Sequence, residues 1–241
     1  MTSLATFFAE MEPFLLGQRS ASDVLDRLGP SPSGADRFAL YAELVQRQRR
    51  GILDHFYRPV AAAAEARERG RFGRLRDAYL CAHPPRHWTP NEAARAFPGF
   101  LSQQADVGED LVSLADYAWA RFSVMHAPHR PEDVGLDEAV LVRHYEWDVA
   151  TFSEAVERRL AGVTLRAIPR TLLLGRHRSA STLVVLTPSL GALLALAAAS
   201  GRVPALPDGL SSAMVVEEAR ALVERGLFPE GTATRVREAL R

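Results

Sequence analysis

The sequence predicts a mainly α protein with a C-terminal α+β part: an N-terminal helical bundle, then a small antiparallel sheet with helices in a winged-helix-like layout. Three observations carry this. Residues 1–132 hold apolar side chains at helical spacing, broken by short turn-rich stretches. After residue 133 the period changes, and segments rich in Val, Leu and Tyr read as strands. Between the two, "APHRPEDVG" gathers two prolines, a glycine and mixed charge, which predicts a linker. The expected domains are therefore 1–132, helical, and 133–241, small α+β.

In the N-terminal half, Leu4, Phe7, Phe8, Met11 and Leu15 recur at helical spacing and predict one buried face. After "GPSPSGAD", Asp36 is the expected N-cap of a helix whose stripe is Phe38, Tyr41, Val45, Ile52 and Phe56. Pro59 suits the start of the next helix, and Gly70 follows its end. Phe72, Leu75 and Tyr79 form the face of another. Thr89-Pro-Asn-Glu92 has a capping-box pattern and predicts a short helix stopped by Pro98. Leu111, Leu114, Ala118, Phe122 and Met125 then share one side of a longer helix.

In the C-terminal half, "AVLVRHYEW" (139–147) reads as a strand and "DVATFSEAVERRL" as a helix. Two apolar runs, 171–174 and 182–187, flank a polar turn and predict a β-hairpin. "PSLGALLALAAAS" and "SAMVVEEARALVERG" close the chain as helices, with Gly226 as a stop. The expected unit packs its helices on one face of the sheet.

The 241 residues are 47% hydrophobic and 24% charged, ordinary for a globular chain with a sizeable core. The formal net charge is +0, and all 29 basic residues are arginine, so no global field draws the chain to nucleic acid or an anionic membrane. Cys81, alone, closes no internal disulfide. The N-terminus lacks a basic start, and Glu10 and Glu12 interrupt its apolar run, unlike a signal peptide. "LGALLALAAAS" is too short for a bilayer, which takes about 20 residues. The expectation is a cytoplasmic protein.

Cys81, His83 and His87 could offer zinc a thiolate and two nitrogens, but Pro84-Pro85 fixes a turn between the histidines, and no second cluster supplies a fourth ligand. The plainer expectation makes Cys81 a small buried hydrophobe and sets His83 against a helix C-terminus. No G-x-S-x-G elbow surrounds Ser179, Ser181 or His177, and "RGRFGRLR" lacks the end of a phosphate loop. The cluster Arg67, Arg69, Arg71, Arg74 and Arg76 reads as a phosphate-contacting patch or as a solvated face, and interleaved Glu65, Glu68 and Asp77 favour the latter. The apolar hairpin raises a different chemistry: an exposed sheet edge accepts an extended peptide through main-chain hydrogen bonds.

The stretches "RFALYAELVQRQRRGILDHFYRPVAAA", "FGRLRDAYLCAHPPRHWTPNEAARAFPGFL" and "LADYAWARFSVMHA" resemble the N-terminal domain of the HvfC/BufC family, often labelled DNA-binding. The tail, with "YEWDVATF", a hairpin and "LTPSLGALLALAAASGRVP", is similar to that family's C-terminal part, so the resemblance spans roughly residues 35–228. It departs where the family usually carries asparagines after the tyrosine of "RF-x-x-Y" (here "AELVQ"), and the region after "TLVVL" is short. The resemblance implies a partner subunit rather than a catalyst. Such subunits, in methanobactin and thiaglutamate biosynthesis, pair with a multinuclear iron oxidase of TIM-barrel type and bind the leader of a ribosomally made precursor peptide. The core cysteine is then presented to the oxidase.

The resulting expectation is a non-catalytic subunit with no cofactor of its own, the iron belonging to its partner. The peptide adds as a strand at Leu183, Val184 and Val185, with Leu172, Leu173 and Leu174 as the alternative edge. Arg166, Arg170, Arg176 and Arg178 face acidic leader residues. The loop with His83, Arg86, His87 and Trp88 faces the enzyme. No membrane is expected as a partner, nor nucleic acid; a DNA-binding regulator is the alternative, and a metalloprotein using Cys81 a third reading.

Overall fold

A computed structural model describes residues 3–15, 18–30, 35–83, 90–128 and 134–241. Among them the chain is mainly α with an α+β part, and no helix is long and apolar enough to cross a membrane. Two compact units form, Met1–Ala115 with Val156–Leu160, and Asp116–Ala155 with Ala161–Arg241. The units divide within a helix rather than at the proline-rich linker, because the end of that helix packs with the sheet that follows.

The first unit is helical: α1 (Leu4–Leu15), α2 (Ala21–Leu28), α3 (Ala35–Phe56), α4 (Arg58–Arg67), α5 (Arg71–Ala82), a 3₁₀ helix (Pro90–Ala94), α6 (Phe97–Ser102) and the start of α7 (Glu109–Met125). Its core gathers aromatic rings: Phe97 lies 4.6 Å from Tyr57 and 5.1 Å from Tyr79, centroid to centroid. Both tyrosines bury a hydroxyl and give it a carbonyl, Tyr57 to Ala94 (2.6 Å) and Tyr79 to Ala93. Phe72, Leu75 and Tyr79 are buried as their spacing predicts.

Four expectations change here. Asp36 sits in the first turn of α3, where its charge meets the helix dipole, rather than at the cap. Pro98 starts α6 instead of ending a helix, since proline's φ suits a first turn. Residue 89 of the capping-box pattern lies outside the described residues. α1 buries only Phe14, while Leu4, Phe7 and Phe8 are exposed. On α3, Tyr41 is also exposed, and the stripe turns to bury Arg49 and Leu53.

The second unit runs from Asp116 in α7 through α8 (Leu136–Ala139), β1 (Val140–Tyr145), α9 (Val149–Glu157), β2 (Arg170–Arg176), β3 (Leu183–Leu186), α10 (Leu190–Ala199), α11 (Ser212–Glu224) and α12 (Thr232–Ala239). The sheet is antiparallel in the order β1-β2-β3, with Val140, Gly175 and Val184 in line across it. Alternation sends Val140, Leu173, Val184 and Leu186 into one core with α10, α11 and α12. Leu172, Leu174 and Tyr145 occupy the other face and are also buried.

That second face is covered too, contrary to the expected one-sided packing. Tyr145 donates to Asp116 Oδ2 at 2.7 Å, its ring meets Tyr117 edge-on at 6.0 Å, and Arg176 reaches Met125 O at 3.4 Å. Ser189 and Ser211 cap α10 and α11 through their hydroxyls. Gly226 ends α11 with φ +70; a Cβ there would lie 2.3 Å from His177 Nε2, so only glycine lets this turn meet the hairpin.

Candidate functional site

The hairpin places β3 at one margin of the sheet and β1 at the other. Leu172, Leu173 and Leu174 lie in the central strand, and the ladder to β1 runs from Arg170 to Gly175. They are therefore no alternative edge: their backbone is shared with neighbouring strands and their side chains are buried. The run of leucines belongs to a strand covered on both faces, which demands continuous apolar residues.

β3 differs. Leu183–Leu186 pairs with Leu173–Arg176 only, and among the described residues no further backbone hydrogen bond reaches it. Antiparallel ladders alternate inward and outward amides. His177 N–H donates to Thr182 O at 2.7 Å, which sets the phase. Val184 and Leu186 then exchange hydrogen bonds with Gly175 and Leu173, and the amides of Leu183 and Val185 point away from the sheet. All four side chains are half-buried. The same phase turns the backbone of Val140, Val142 and His144 outward on β1.

The arginines are more engaged than their spacing suggests. Arg170 Nε lies 3.2 Å from Asp148 Oδ1, an ion pair whose Nε–H has no aligned acceptor. Asp148 is itself buried at the start of α9 and accepts from Thr151 N–H at 3.4 Å. Arg170 thus ties β2 to α9. Arg176 spans the α7 side of the sheet, and Arg178 binds the α11–α12 turn through its N–H to Gly226 O at 2.9 Å. Arg166 is exposed. Burial, with the Asp116 carboxylate beside it, holds the Tyr145 hydroxyl well above its ordinary range, so it stays a donor.

Two side-chain series bring a histidine ring against hydroxyl or backbone groups. His177 Nδ1 accepts from the N–H groups of Ser179 (3.2 Å) and Ala180 (3.1 Å), so the ring organises the hairpin turn. Thr171 Oγ1 lies 3.1 Å from His144 Nδ1, and His144 Nε2 lies 3.2 Å from Glu146 Oε1. This series is exposed, where water levels any activation of the hydroxyl.

Of the expected enzyme-facing loop, Arg86, His87 and Trp88 lie outside the described residues. His83 closes α5: its ring stacks on Tyr79 at 4.6 Å and its carbonyl accepts from Arg49 Nη2 at 3.3 Å. The same nitrogen takes Leu80 O at 2.9 Å. Arg49, a buried cation at the negative end of α5, is the residue that sequence reasoning missed. In "QRQRRG" nothing separates it from its exposed neighbour Arg50. Cys81 is exposed, not buried, because it faces away from the Tyr79 side of α5. Among the described residues no group of three His, Cys, Asp or Glu is placed to hold a metal.

In the arginine cluster, Arg67 pairs with Asp110, Arg71 with Asp106, Arg74 with Glu68, and Arg76 with Asp54 and Asp77. Each of these four guanidinium groups thus has a carboxylate beside it, as on a solvated face of mixed charge. No family model matches the chain, and no curated protein matches it.

Proposed function

We propose that this chain is a non-catalytic recognition subunit that takes an extended peptide onto the free margin of β3. The supporting observation is the outward backbone of Leu183 and Val185 on an edge strand that forms hydrogen bonds on one side only. An incoming strand gains main-chain bonds there, and its alternate side chains meet Leu183 and Val185 on one face and Val184 and Leu186 on the other. The resemblance to HvfC/BufC subunits names the class of guest: the leader of a ribosomally made precursor peptide, whose core cysteine is oxidised by a multinuclear iron oxidase bound as partner. The iron belongs to that enzyme, and the pair works in the cytoplasm.

The ladder phase decides the test. Proline at Val184 would remove a bond to β2 and damage the sheet itself. Proline at Val185 removes an outward donor and leaves the ladder to β2 intact. The full chain is titrated with a cysteine-containing precursor peptide, with and without a multinuclear iron oxidase. Val185→Pro is expected to weaken binding about tenfold, the loss of one or two main-chain bonds, with the circular dichroism spectrum unchanged. Equal affinity in the folded variant removes the strand-addition reading. Turnover of the peptide by this chain alone removes the non-catalytic one.

A further inference from the structure

We propose that His177 is a proton switch on the margin of β3. The neutral ring holds the hairpin turn that positions this strand. A protonated ring releases the turn, so acid weakens the hold on a guest strand. The effect on a guest rests on the strand-addition reading, and the effect on the turn does not.

Hydrogen bonding fixes the state of the ring. Nδ1 accepts from the N–H groups of Ser179 at 3.2 Å and Ala180 at 3.1 Å, and Ser179 Oγ lies 3.3 Å away. A nitrogen that accepts from two N–H groups carries no proton, so the neutral ring holds its proton on Nε2. The same residue closes the hairpin, because its own N–H donates to Thr182 O at 2.7 Å. A second ring proton would make Nδ1 a donor facing two donors, and both bonds would be lost.

The ring has no room to turn away. A Cβ on Gly226 would lie 2.3 Å from Nε2 and 2.5 Å from both Cδ2 and Cε1. The ring therefore rests on buried backbone at the end of α11, and relief has to come from the exposed turn. That turn holds Ser181 at φ +50, a left-handed conformation that a residue other than glycine keeps only where its surroundings impose it. The bonds to Nδ1 help to impose it, as does Arg178 N–H on Gly226 O at 2.9 Å.

No counter-charge meets the added proton among the described residues. The other charged groups of the hairpin are the cations Arg176 and Arg178. The end of α11 carries exposed Glu224 and Arg225, and past Gly226 stand exposed Glu230 and, in the first turn of α12, Arg235. None of these carboxylates forms an ion pair with the ring. The C-terminus of α11 would by itself favour a cation. Its last carbonyls are taken, however: Ala221 O accepts from Arg225 N–H, Leu222 O from Leu227 and Phe228, and Val223 O from Gly226. Two lost hydrogen bonds then outweigh what the helix end still offers.

The test is amide protection in the full chain, read by NMR at about pH 7.5 and about pH 5.5, on either side of the ordinary imidazole range. Protection factors of Ser179, Ala180 and Val184 are expected to fall about tenfold in acid, the loss of two hydrogen bonds, and to follow the titration of the His177 ring in the same spectra. A cysteine-containing precursor peptide is expected to bind about tenfold more weakly at the lower pH, for the same reason. His177→Asn offers the same N–H groups an oxygen that takes up no proton, and is expected to keep the turn and remove both effects. His144→Gln, on β1, is expected to leave both in place. Protection that is unchanged in acid, or that falls without following the His177 ring, overturns the switch, as does an equal fall in His177→Asn. Lost protection with equal peptide affinity at the two pH values overturns the link to the β3 margin. Lost protection with no peptide bound at either pH supports the turn release and removes the strand-addition reading instead.

Discussion

α1 and α10 are both short and apolar, yet their side chains meet opposite fates. α10, "LGALLALAAA", buries Gly191, Ala192, Ala195, Leu196 and Ala198 in a core shared with the sheet, α11 and α12. α1, "LATFFAEMEPFL", buries Phe14 alone and leaves Leu4 71% and Phe8 60% exposed. The larger side chains are the exposed ones. Apolar content measures what a helix gains if covered; the cover comes from elements far away in sequence. α10 has small residues that let neighbours approach closely, and three further elements to approach. Among the described residues the α1 cluster gathers Phe14, Val24 and a rim of half-buried residues from α1, α2 and α3.

This contrast can be broken most sharply in the core of α10. Phe228 is 1% exposed within it. Phe228→Ala is expected to lower stability by about 3–5 kcal/mol, read as a fall in the urea midpoint. A loss under about 1 kcal/mol would mean that the core of this unit is loosely packed and that the contrast with α1 is false.

Alkaline unfolding tests the first unit's own core. Burial pushes the Tyr79 hydroxyl up to about 12. The unfolded hydroxyl titrates near about 10, so the folded state holds this proton more tightly. Its contribution is fully present below about pH 10 and is lost as the pH rises toward about 12. Stability should therefore fall across that window, and Tyr79→Phe should flatten part of the slope. Tyr145, also raised by burial, keeps its share. At neutral pH the variant loses about 1 kcal/mol with the hydrogen bond to Ala93. A slope unchanged by the substitution would mean that Tyr79 is open to water.

The smallest effect belongs to α1. Phe8→Ala is expected to change stability by less than about 0.5 kcal/mol, as for other surface substitutions. A loss approaching that of Phe228→Ala would show that the face of α1 is covered in solution, and would sharpen the question of what covers it.

The hairpin was the most legible part of the candidate site. Runs at 171–174 and 182–187 anticipated Arg170–Arg176 and Leu183–Leu186 closely, because strand propensity and a polar turn are local signals. α12 was not anticipated: within "TATRVREA" only Val236 and Thr232 are buried, too little apolar content for a periodic pattern. Pro98 was misread because proline reads alike at the end of one helix and the start of the next. Arg170 looked available for an acidic guest, and only the fold brings Asp148 to it. The roles of Val184 and Val185 depend on ladder phase, which a sequence of consecutive apolar residues does not carry.

Local signals in the chain suffice for its class, helices followed by a small sheet, and for most element positions. Those follow from periodicity, capping residues and turn chemistry within a few residues of one another. Tertiary structure decided the strand order, which leaves β3 at a margin with Val185 facing outward. It also decided the burial of Arg49 and the exposure of Cys81. Each depends on which distant surfaces come together, and long-range packing chooses among arrangements that local patterns leave equal.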